Sequence, residues 1–385
     1  MSMFDALIVG AGPAGSHLAY LLAKAGRAVA IIDRARFPRD KVCGGGLTRK
    51  ARSLIDFDIA PVVQETVGGA FVTFRNRASV ILDVDPPVGC TVLRSEFDHF
   101  LLRSAEANGA QFHADTRFVG VSEEADGVRV TTDRGEIQAR FLVAADGVGS
   151  AVRNQVFGRN MVSYVPALEA LIQVEAERIA TLAGRAVFDL GGMRRGYGWI
   201  FPKRDHLNVG VYSPFGGTEL RAQLDQFLGA YPPLATARAI KHVGYAIPTQ
   251  NPRKQFERGR VWLVGDAAGL AEATFGEGIY FALKSATLAA RALLESEGRP
   301  GSYTSLLKRE VLPELTAARH IGRTLFAFPE FAFHHLAAQP GINSNFSGII
   351  SGDVSYRSCL ARTIASLPRW LLSRGGVGPP LLQES

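Results

Sequence analysis

The sequence predicts an α/β protein in which a doubly wound parallel sheet carries an inserted, mostly β-strand domain and a helical segment ends the chain. Three observations support this prediction. A glycine-rich turn stands between an apolar strand pattern and a helical pattern near the N-terminus. Two later apolar runs end beside aspartate and glycine, as parallel strands do where they face a ligand. Short alternating runs fill 67–92 and 166–255, and helical spacing dominates after residue 298.

Composition narrows the classes of function. The chain has 385 residues, 47% of them hydrophobic, which is ample for a large core. Its net charge of +7 fits a solvated surface with surplus arginine, or attraction to anionic cofactors or an anionic membrane surface. We expect no nucleic-acid partner.

Cysteine usage and hydropathy indicate the setting. The three cysteines are scattered and form no CxxC pair, so we expect no disulfide framework, no metal site and a reducing, cytoplasmic location. The N-terminus lacks the pattern of an export signal, and no run of about 18 apolar residues predicts a transmembrane helix. Peripheral contact with a membrane surface stays open.

The stretch "FDALIVGAGPAGSHLAYLLAKAGRAVAIIDR" predicts a strand, a tight turn, a helix and a second strand. The first strand covers residues 6–9, and the helical pattern runs to Lys24 before Gly26 ends it. The second strand covers residues 29–32. Asp33 stands at its carboxyl end, where it would accept hydrogen bonds from ribose hydroxyls.

The turn itself is a GxGxxG motif made of Gly10, Gly12 and Gly15. In this geometry the first glycine permits the turn, the second lets a pyrophosphate approach the backbone, and the third lets the helix pack on the strand. The helix N-terminus adds free N–H donors for phosphate oxygens. The motif therefore predicts a dinucleotide, but by itself it does not separate NAD from FAD.

Two later stretches extend the predicted site. "FLVAADGVGSAVR" (141–153) is a strand pattern that ends at Asp146. The stretch 259–294 contains a strand that ends at Asp266, a loop bounded by glycines, and a long helix that begins near Gly278. The positive end of that helix would face negative charge on a ligand.

Together with Arg94, these motifs resemble the flavin hydroxylase superfamily of FAD-dependent oxidoreductases. Within it, "FPRDKVCGGGL", "YGWIFPKRDHLNVGV" and "GDAAG…GEGIYFALKSA" are similar to the geranylgeranyl reductase family. The resemblance runs from about residue 4 to about residue 290. It implies an FAD-binding, Rossmann-like doubly wound domain (1–66, 93–165 and 256–297), a substrate-binding β-sheet domain (67–92 and 166–255) and a helical C-terminal region (298–385).

The resemblance also implies roles for single residues. In the superfamily, the counterpart of Asp266 contacts the ribitol chain, that of Asp146 lies near the FAD and nicotinamide region, and that of Arg94 contacts the FAD phosphates. Arg94 opens a helical pattern whose first turn, from Ser95 to Asp98, is typical of a side-chain cap. The cofactor-binding residues so predicted are Gly10, Gly12, Ala14, Gly15, Asp33, Arg34, Lys41, Cys43, Gly44, Arg94, Asp146, Gly147, Asp266, Gly276, Gly278 and Ile279.

A cysteine precedes three glycines in "KVCGGGLTRK" (41–50). In reductases of this family the CxGG loop lies beside the flavin ring, so the glycines would let backbone pass close to the ring and the substrate. Cys43 is then a proton source, a group that orients an alkene, or a small packing residue. Lys41 and Arg49 either offset negative charge on the flavin or substrate, or are solvated.

The stretch "GYGWIFPK" places aromatic side chains at alternate positions, on one face of a strand. Taken alone, this is a core stripe or a binding wall; the resemblance implies the wall of an apolar substrate cavity. The predicted substrate-binding residues are Gly45, Tyr197, Trp199, Phe201 and Phe275, and the predicted catalytic residues are Cys43, Tyr197 and Trp199.

The resemblance implies a reductase that saturates C=C double bonds of an isoprenoid, geranylgeranyl-type chain by hydride transfer from reduced FAD. The alternative is an FAD-dependent monooxygenase or halogenase acting on an aromatic or terpenoid substrate, and a non-catalytic binding protein is a third class. Tyr280 stands near where hydroxylases usually carry asparagine, and "GYGWIFP" has Tyr and Phe at the positions where the halogenase motif needs Trp and Ile, so both favour the reductase. The sequence has no second GxGxxG unit, so the electron donor stays open between NAD(P)H, ferredoxin and another donor protein.

One loop departs from the family pattern. Residues 272–275 read Glu-Ala-Thr-Phe where the family commonly has Asn-Pro-Leu-Thr, so we expect a looser loop there, with Phe275 filling space otherwise open to a substrate chain. Farther on, "RTLFAFPEFAFHHLAAQPG" predicts core packing, and "LPRWLLSRGGVGPP" predicts either packing or contact with a membrane surface. His334 and His335 are adjacent and cannot share a helix face, so we expect no metal site there.

Overall fold

A computed structural model describes residues 3–159, 161–182, 184–216, 219–231, 234, 239–250, 254–338 and 347–373. The described strands are β1 (Phe4–Val9), β2 (Val29–Ile32), β3 (Gly46–Thr48), β4 (Val63–Val67), β5 (Gly69–Phe74), β6 (Ala78–Asp83), β7 (Gly89–Val92), β8 (Gln111–His113), β9 (Phe118–Glu123), β10 (Val128–Thr132), β11 (Gly135–Ala144), β12 (Ser163–Gln173), β13 (Arg185–Leu190), β14 (Tyr197–Pro202), β15 (His206–Tyr212), β16 (Ala239–Gln250), β17 (Glu257–Arg258) and β18 (Val261–Leu263). The described helices are α1 (Pro13–Lys24), α2 (Arg49–Arg52), α3 (Arg94–Ala107), α4 (Ala151–Val156), α5 (Ala176–Ala180), α6 (Leu220–Ala230), α7 (Ile279–Glu295), α8 (Ser302–Glu310), α9 (Leu312–Ala327), α10 (Pro329–Ala338), α11 (347–351) and α12 (Tyr356–Ser373).

The first sheet is the predicted doubly wound one. Its strand order is β17-β18-β11-β1-β2-β8, and β18, β11, β1, β2 and β8 run parallel. Its central strands are apolar on both faces, since the adjacent residues Leu7 and Ile8 on β1, whose side chains point to opposite faces, are both fully buried. The carboxyl ends of β1, β2, β11 and β18 therefore meet along one edge, which is where the predicted acidic residues follow.

The second sheet has seven strands in the order β16-β12-β15-β14-β13-β5-β6, and only β13 and β5 pair in parallel. Within the alternating runs predicted at 67–92, β5 and β6 form an antiparallel hairpin. Along β14 the side chains alternate: Ile200 packs in the core that α6 covers, whereas Tyr197 and Trp199 belong to a separate aromatic cluster on the opposite face. That aromatic face is turned toward the nucleotide-binding sheet.

A small antiparallel sheet, β3-β7-β4, is separate from the two large ones. It contains β3 and β4 from the predicted FAD-binding domain and β7 from the predicted substrate-binding domain. Because β3 begins at the last glycine of the loop at 43–46, this sheet fixes where that loop leaves the nucleotide-binding region. The domain limits themselves stay a prediction.

The C-terminal helices pack in part as the sequence predicts. Phe326 and Phe333 are buried in the aromatic cluster, whereas Phe328 is 64% exposed. The side chains of the stretch 367–380 lie outside the described residues, so its membrane contact stays a prediction. Within the described part of the chain, no helix is both long and apolar enough to cross a membrane.

Candidate functional site

The glycine-rich turn between β1 and α1 separates packing glycines from an open one. Gly10 has φ +103°, and a Cβ there would lie 2.4 Å from the Ala145 carbonyl oxygen. A Cβ on Gly15 would lie 1.9 Å from the Gly10 carbonyl oxygen, so helix and strand touch there. A Cβ on Gly12 would meet nothing closer than an Arg39 nitrogen at 3.5 Å. The turn is thus closed by two glycines and left open for a ligand at the third.

The Asp33 carboxylate forms hydrogen bonds that hold the backbone next to this turn. Its carboxylate accepts hydrogen bonds from the Ala11 amide at 2.8 Å and from the Ala35 amide at 2.9 Å. The carboxylate is therefore held at the carboxyl end of β2, with lone pairs left for the ribose contact that the sequence predicts. That contact stays a prediction.

Arg94 begins α3, but the predicted side-chain cap is wrong. Leu93 occupies the N-cap position and no side chain caps the helix. Asp98 is fully buried and pairs with Arg94 through two contacts, at 2.7 and 2.8 Å, while Arg39 approaches the same carboxylate at 3.3 Å. A buried guanidinium needs a carboxylate more than the helix end needs a cap, because an exposed amide can bind water instead.

The same contacts act on the protonation of Arg94. Burial lowers its pKa, but the charge and hydrogen bonds of Asp98 raise it by more, so the net pKa is raised above its ordinary value. Its guanidinium also faces the Cys43 sulfur, which raises the pKa further. Arg94 is thus a permanent cation between the glycine turn and the cysteine loop.

Asp146 follows β11 and leaves one oxygen unsatisfied. Oδ2 accepts hydrogen bonds from the Ala151 amide at 2.7 Å and the Val152 amide at 3.4 Å, at the start of α4. Oδ1 is buried and has no partner among the described residues. Burial raises the pKa of Asp146, while the hydrogen bonds from Ser150 and from those amides lower it. An unpaired buried oxygen on the cavity wall is the kind of atom that a ligand hydroxyl or amide satisfies.

Asp266 and the start of α7 face each other across the end of β18. Gly265 has φ +56°, and the short 3-10 turn from Gly265 to Ala268 places Asp266 on the cavity. Tyr245 donates to the Asp266 carboxylate at 3.4 Å. Gly278 precedes the first turn of α7, as predicted, and a Cβ there would lie 3.5 Å from Asp266. Free helix amides and a carboxylate therefore adjoin, as needed for a ligand with both acceptors and hydroxyls.

Lys41 lies over the Tyr245 ring, with its nitrogen 3.3 Å from the ring centroid. Burial, and then the positive charge of Arg94, lower the pKa of Lys41 to about 8, although Asp266 and Cys43 act in the opposite direction. Lys41 is therefore partly desolvated and stacks on an aromatic ring. The alternative that Lys41 is a solvated surface cation is wrong.

The loop at 43–46 lies directly on the aromatic strand. A Cβ on Gly44 would come within 3.0 Å of the Phe201 ring and 3.2 Å of the Trp199 ring nitrogen. Gly45 has φ +67°, and a Cβ there would lie 2.1 Å from the Val92 carbonyl oxygen. Consecutive glycines are thus required because the backbone is pressed between β14 and the end of β7.

Two buried side chains that sequence reasoning missed hold this loop. Lys203, which follows β14 and is 1% exposed, donates to the Gly44 carbonyl at 2.8 Å and the Val92 carbonyl at 3.0 Å. Glu169 on β12 accepts a hydrogen bond from the Cys43 amide at 3.2 Å. Lys203 ends the quoted motif "GYGWIFPK", but strand alternation could not predict that its nitrogen turns inward.

The predicted aromatic residues form one wall. Tyr197 lies 6.0 Å from both Trp199 and Phe275, and Trp199 lies 6.3 Å from Phe201, measured between ring centroids. The Tyr197 hydroxyl donates to the Phe275 carbonyl at 2.7 Å, and the Trp199 ring nitrogen donates to Asn208 at 2.8 Å. Burial, and then Glu272 and Cys43, raise the pKa of Tyr197, which keeps that hydroxyl neutral.

The expectation of a looser loop at 272–275 is wrong. The buried Glu272 carboxylate accepts hydrogen bonds from the Thr274 amide and, at 2.8 Å, from the Phe275 amide. Thr274 donates to the Ala318 carbonyl at 2.7 Å, and Tyr212 donates to the Ala273 carbonyl at 3.2 Å. Hydrogen bonds to a carboxylate and to α9 therefore replace the rigidity of the missing proline.

One cavity of about 710 Å³ joins these parts. Every residue predicted for cofactor, substrate or catalysis lines it except Gly15, which is buried in the β1–α1 packing. Beyond the aromatic wall the lining is apolar and includes Val67, Ala70, Leu82, Val84, Ala186 and Ile350. Ile350 and Tyr356 show that the C-terminal helices complete this end of the cavity.

Comparison with known proteins gives consistent matches. The family model described as "FAD binding domain" matches residues 3–306. A menaquinone reductase from Mycobacterium tuberculosis is 30% identical over 85% of each chain, and a geranylgeranyl diphosphate reductase from Rhodobacter capsulatus is 30% identical over 77% of each chain.

Solved structures give the same fold. A geranylgeranyl bacteriochlorophyll reductase-like protein from Thermoplasma acidophilum superposes with a TM-score of 0.76 at 23% identity, over 97% of this chain and 98% of that chain. The halogenase PltM superposes with a TM-score of 0.71 at 18% identity, over 97% of this chain and 93% of that one. At these identities the likeness establishes the fold, which reductases and halogenases share.

Proposed function

Because this chain belongs to the FAD-binding domain family and, within it, to the geranylgeranyl reductase family of FAD-dependent oxidoreductases, we propose that it saturates C=C double bonds of an isoprenoid chain. One observation carries the proposal. A single cavity runs from the dinucleotide turn to an apolar, aromatic-walled pocket, and the Cys43 loop lies between the two.

The cofactor end of the cavity fits FAD. The open face of Gly12 leaves room for a pyrophosphate, and the permanent cation Arg94 and the N-terminus of α7 offer positive charge. Asp146 has an unsatisfied buried oxygen, and Asp266 faces the same space. When bound, FAD supplies hydride-transfer chemistry. We assign these residues to holding it.

The other end fits an apolar chain. Its lining is aliphatic and aromatic, and the polar atoms of the aromatic wall are already engaged by protein partners: Tyr197 with Phe275, and Trp199 with Asn208. Such a surface binds a prenyl chain by burial and offers little to a polar aromatic substrate. The apolar walls also exclude water from the reacting alkene.

Saturating one double bond adds a hydride and a proton to the two alkene carbons. An isolated alkene has no carbonyl to polarise, so holding it in a near-attack geometry matters most, a contribution of roughly 7–11 kcal/mol. The Tyr197 hydroxyl donates its hydrogen bond to the Phe275 carbonyl, so we assign the role of proton donor to the Cys43 sulfur. Tyr197, Trp199 and Phe201 then form the wall of the pocket that holds the alkene.

Product mass tests this proposal. Reduced holoenzyme is incubated without oxygen with a geranylgeranyl-bearing substrate, and we expect product that has gained two hydrogens per bond. The matched control is a Gly12→Leu variant, which we expect to lack FAD and to give no product. A product that forms only in air and gains one oxygen, or a halogen when halide is added, would establish the monooxygenase or halogenase alternative instead.

A further inference from the structure

Lys203 is a buried cation without a carboxylate partner. It is 1% exposed, and among the described residues no acidic side chain lies within ion-pair distance of its nitrogen. Its hydrogen bonds go to two carbonyl oxygens, of Gly44 and Val92. Burying an ammonium is unfavourable unless its surroundings compensate. Burial lowers the pKa of Lys203 to about 8, although Cys43, Glu169 and Cys90 act in the opposite direction.

The position of this cation is specific. Gly44 follows Cys43 in the loop, and Val92 ends β7 just before Leu93 and Arg94, so Lys203 ties the cysteine loop to the start of α3. A Cβ on Gly45 would lie 2.9 Å from the lysine nitrogen, which shows how closely the loop covers it. The charge therefore lies directly beneath the loop that presents the Cys43 sulfur.

Groups from several elements face Cys43. The charged or titratable groups are Arg94 from α3, Lys203 after β14, Glu169 from β12, Tyr197 from β14, Tyr245 from β16 and Lys41 from the same loop. Arg94 stays charged but shares that charge with Asp98 through two contacts. Lys203 differs from Arg94 in having no carboxylate within ion-pair distance in the described part of the chain, and it differs from Lys41 in that its hydrogen bonds tie the Gly44 carbonyl to the Val92 carbonyl.

We propose that Lys203 is a positioning residue for Cys43: its hydrogen bonds fix the cysteine loop, and its buried charge favours the ionised form of the sulfur. When Cys43 gives its proton to an alkene carbon, the S–H bond breaks, a C–H bond forms and the electron pair stays on sulfur. A cation beneath the loop stabilises that thiolate until a solvent proton restores the thiol. This inference rests on the proposed function for the placement of Cys43 at the reacting centre.

Alkylation of Cys43 in the FAD-bound enzyme tests the inference without any alkene. The thiolate is the reactive form, so the rate of modification by iodoacetamide, followed at the Cys43 peptide by mass spectrometry, measures ionisation. Lys203→Met removes charge and hydrogen bonds, Lys203→Gln keeps a donor but no charge, and Lys203→Arg keeps the charge. We expect Met and Gln to slow alkylation at pH 7 by about tenfold and move its pH profile upward, and Arg to stay close to wild type.

The matched control is Lys50→Met. Lys50 lines the same cavity but is paired with Glu277 at 2.7 Å, so we expect its loss to leave Cys43 alkylation unchanged. Wild-type rates in Lys203→Gln, or an equal fall in Lys50→Met, overturn the inference. If Lys203→Met does not fold, the Gln and Arg variants decide between charge and hydrogen bonding.

The outcome is separable from that of the proposed function. Slowed alkylation in a protein that reduces no alkene supports the role of Lys203 and contradicts the reductase proposal. Unchanged alkylation in a protein that does reduce alkenes contradicts the role of Lys203 and supports the reductase proposal. The flavin absorption spectrum, recorded on each variant, shows that the cofactor end is intact in every comparison.

Discussion

The two ends of the cavity are built in different ways. The nucleotide end is dominated by local sequence: Gly10 and Gly12 lie in one turn, and Asp33 follows the next strand. The aromatic end is assembled from the loop at 43–46, strand β14, the loop at 272–276 and the C-terminal helices. Spacing along the chain can therefore predict the first end, whereas the second depends on how distant segments pack.

The ends also differ in how they treat polar groups. The nucleotide end leaves space and an unpaired oxygen for a ligand, at Gly12 and Asp146. The aromatic end pairs its polar atoms within the protein, through Lys203, Glu169 and Asn208. From this difference we infer that the first end binds its ligand by hydrogen bonds and charge, and the second by shape and burial.

The largest expected effect is the loss of FAD from the nucleotide end while the aromatic end stays folded. Gly12→Leu should give a folded but colourless protein, because the added side chain enters open space that the cofactor needs and meets no close protein atom. The absorbance ratio of flavin to protein measures this. Gly229→Leu is the control, since Gly229 is exposed on α6, a Cβ there meets nothing within 4 Å, and α6 covers the face of the second sheet opposite the aromatic cluster. Full flavin content in Gly12→Leu would contradict the assignment of the turn.

The next largest effect is a loss of alkene reduction that leaves FAD binding at the nucleotide end unchanged. Cys43→Ala should still bind FAD and accept electrons, but alkene reduction should fall by roughly 10²–10⁴ because the proton donor is lost. Cys90→Ala is the matched control, since Cys90 also lines the cavity and burial raises its pKa to about 11. We expect that variant to stay within a few-fold of wild type. Equal rates in all three proteins would leave Cys43 a packing residue.

A third test concerns the packing beneath the nucleotide end. His17 on α1 is buried against Thr287 of α7, at 3.1 Å, and burial lowers its pKa from 6.5 to about 4, although Asp56 acts in the opposite direction. A lowered pKa in the folded state means that stability is present above pH 6.5 and is lost as pH falls toward 4. The loss at pH 4 should be about 3 kcal/mol.

Urea unfolding at pH 7 and pH 4 measures that loss. His17→Gln cannot titrate and keeps a group that can bond Thr287, so the fall in unfolding free energy should be smaller in the variant by about 3 kcal/mol. Titrating carboxylates are common to both proteins and cancel in the difference. Identical falls in both proteins would contradict the lowered pKa, because the pH dependence of stability reports the difference in His17 pKa between the folded and unfolded states.

The smallest effect refines the nucleotide end. Asp266→Ala should weaken FAD binding by about 1–3 kcal/mol, since a flavin hydroxyl would lose its acceptor. Titration of apoprotein with FAD measures it. Tyr245→Phe is the control, because it removes the 3.4 Å contact to Asp266 and keeps the carboxylate. An affinity in Asp266→Ala equal to wild type would remove Asp266 from the site.

Much of the fold followed from the sequence because its signals are local. The β1–α1–β2 unit, the β5–β6 hairpin and the start of α7 all depend on periodicity and glycine placement within short windows. The start of β1 was predicted two residues late, at Ala6 rather than Phe4, since an edge residue such as Asp5 masks the apolar pattern.

The buried polar contacts could not be predicted in this way. Asp98 is typical of a helix cap by sequence, but it pairs with Arg94 because both side chains are buried. Lys203 follows β14 and Glu169 lies on β12, and each contacts the loop at 43–46, more than 100 positions away along the chain. Sequence spacing carries no information on such pairs, since their energy depends on burial.

Anaerobic single turnover tests most directly that the two ends form one reacting site. Holoenzyme is reduced, freed of excess reductant and mixed without oxygen with a geranylgeranyl-bearing substrate, while flavin absorption and product are followed together. We predict that the oxidised flavin band returns and that one double bond is saturated per flavin, with the same rate constant for both. Flavin that stays reduced until oxygen is admitted, with unchanged substrate before that point, would contradict electron transfer from the nucleotide end to an alkene at the aromatic end.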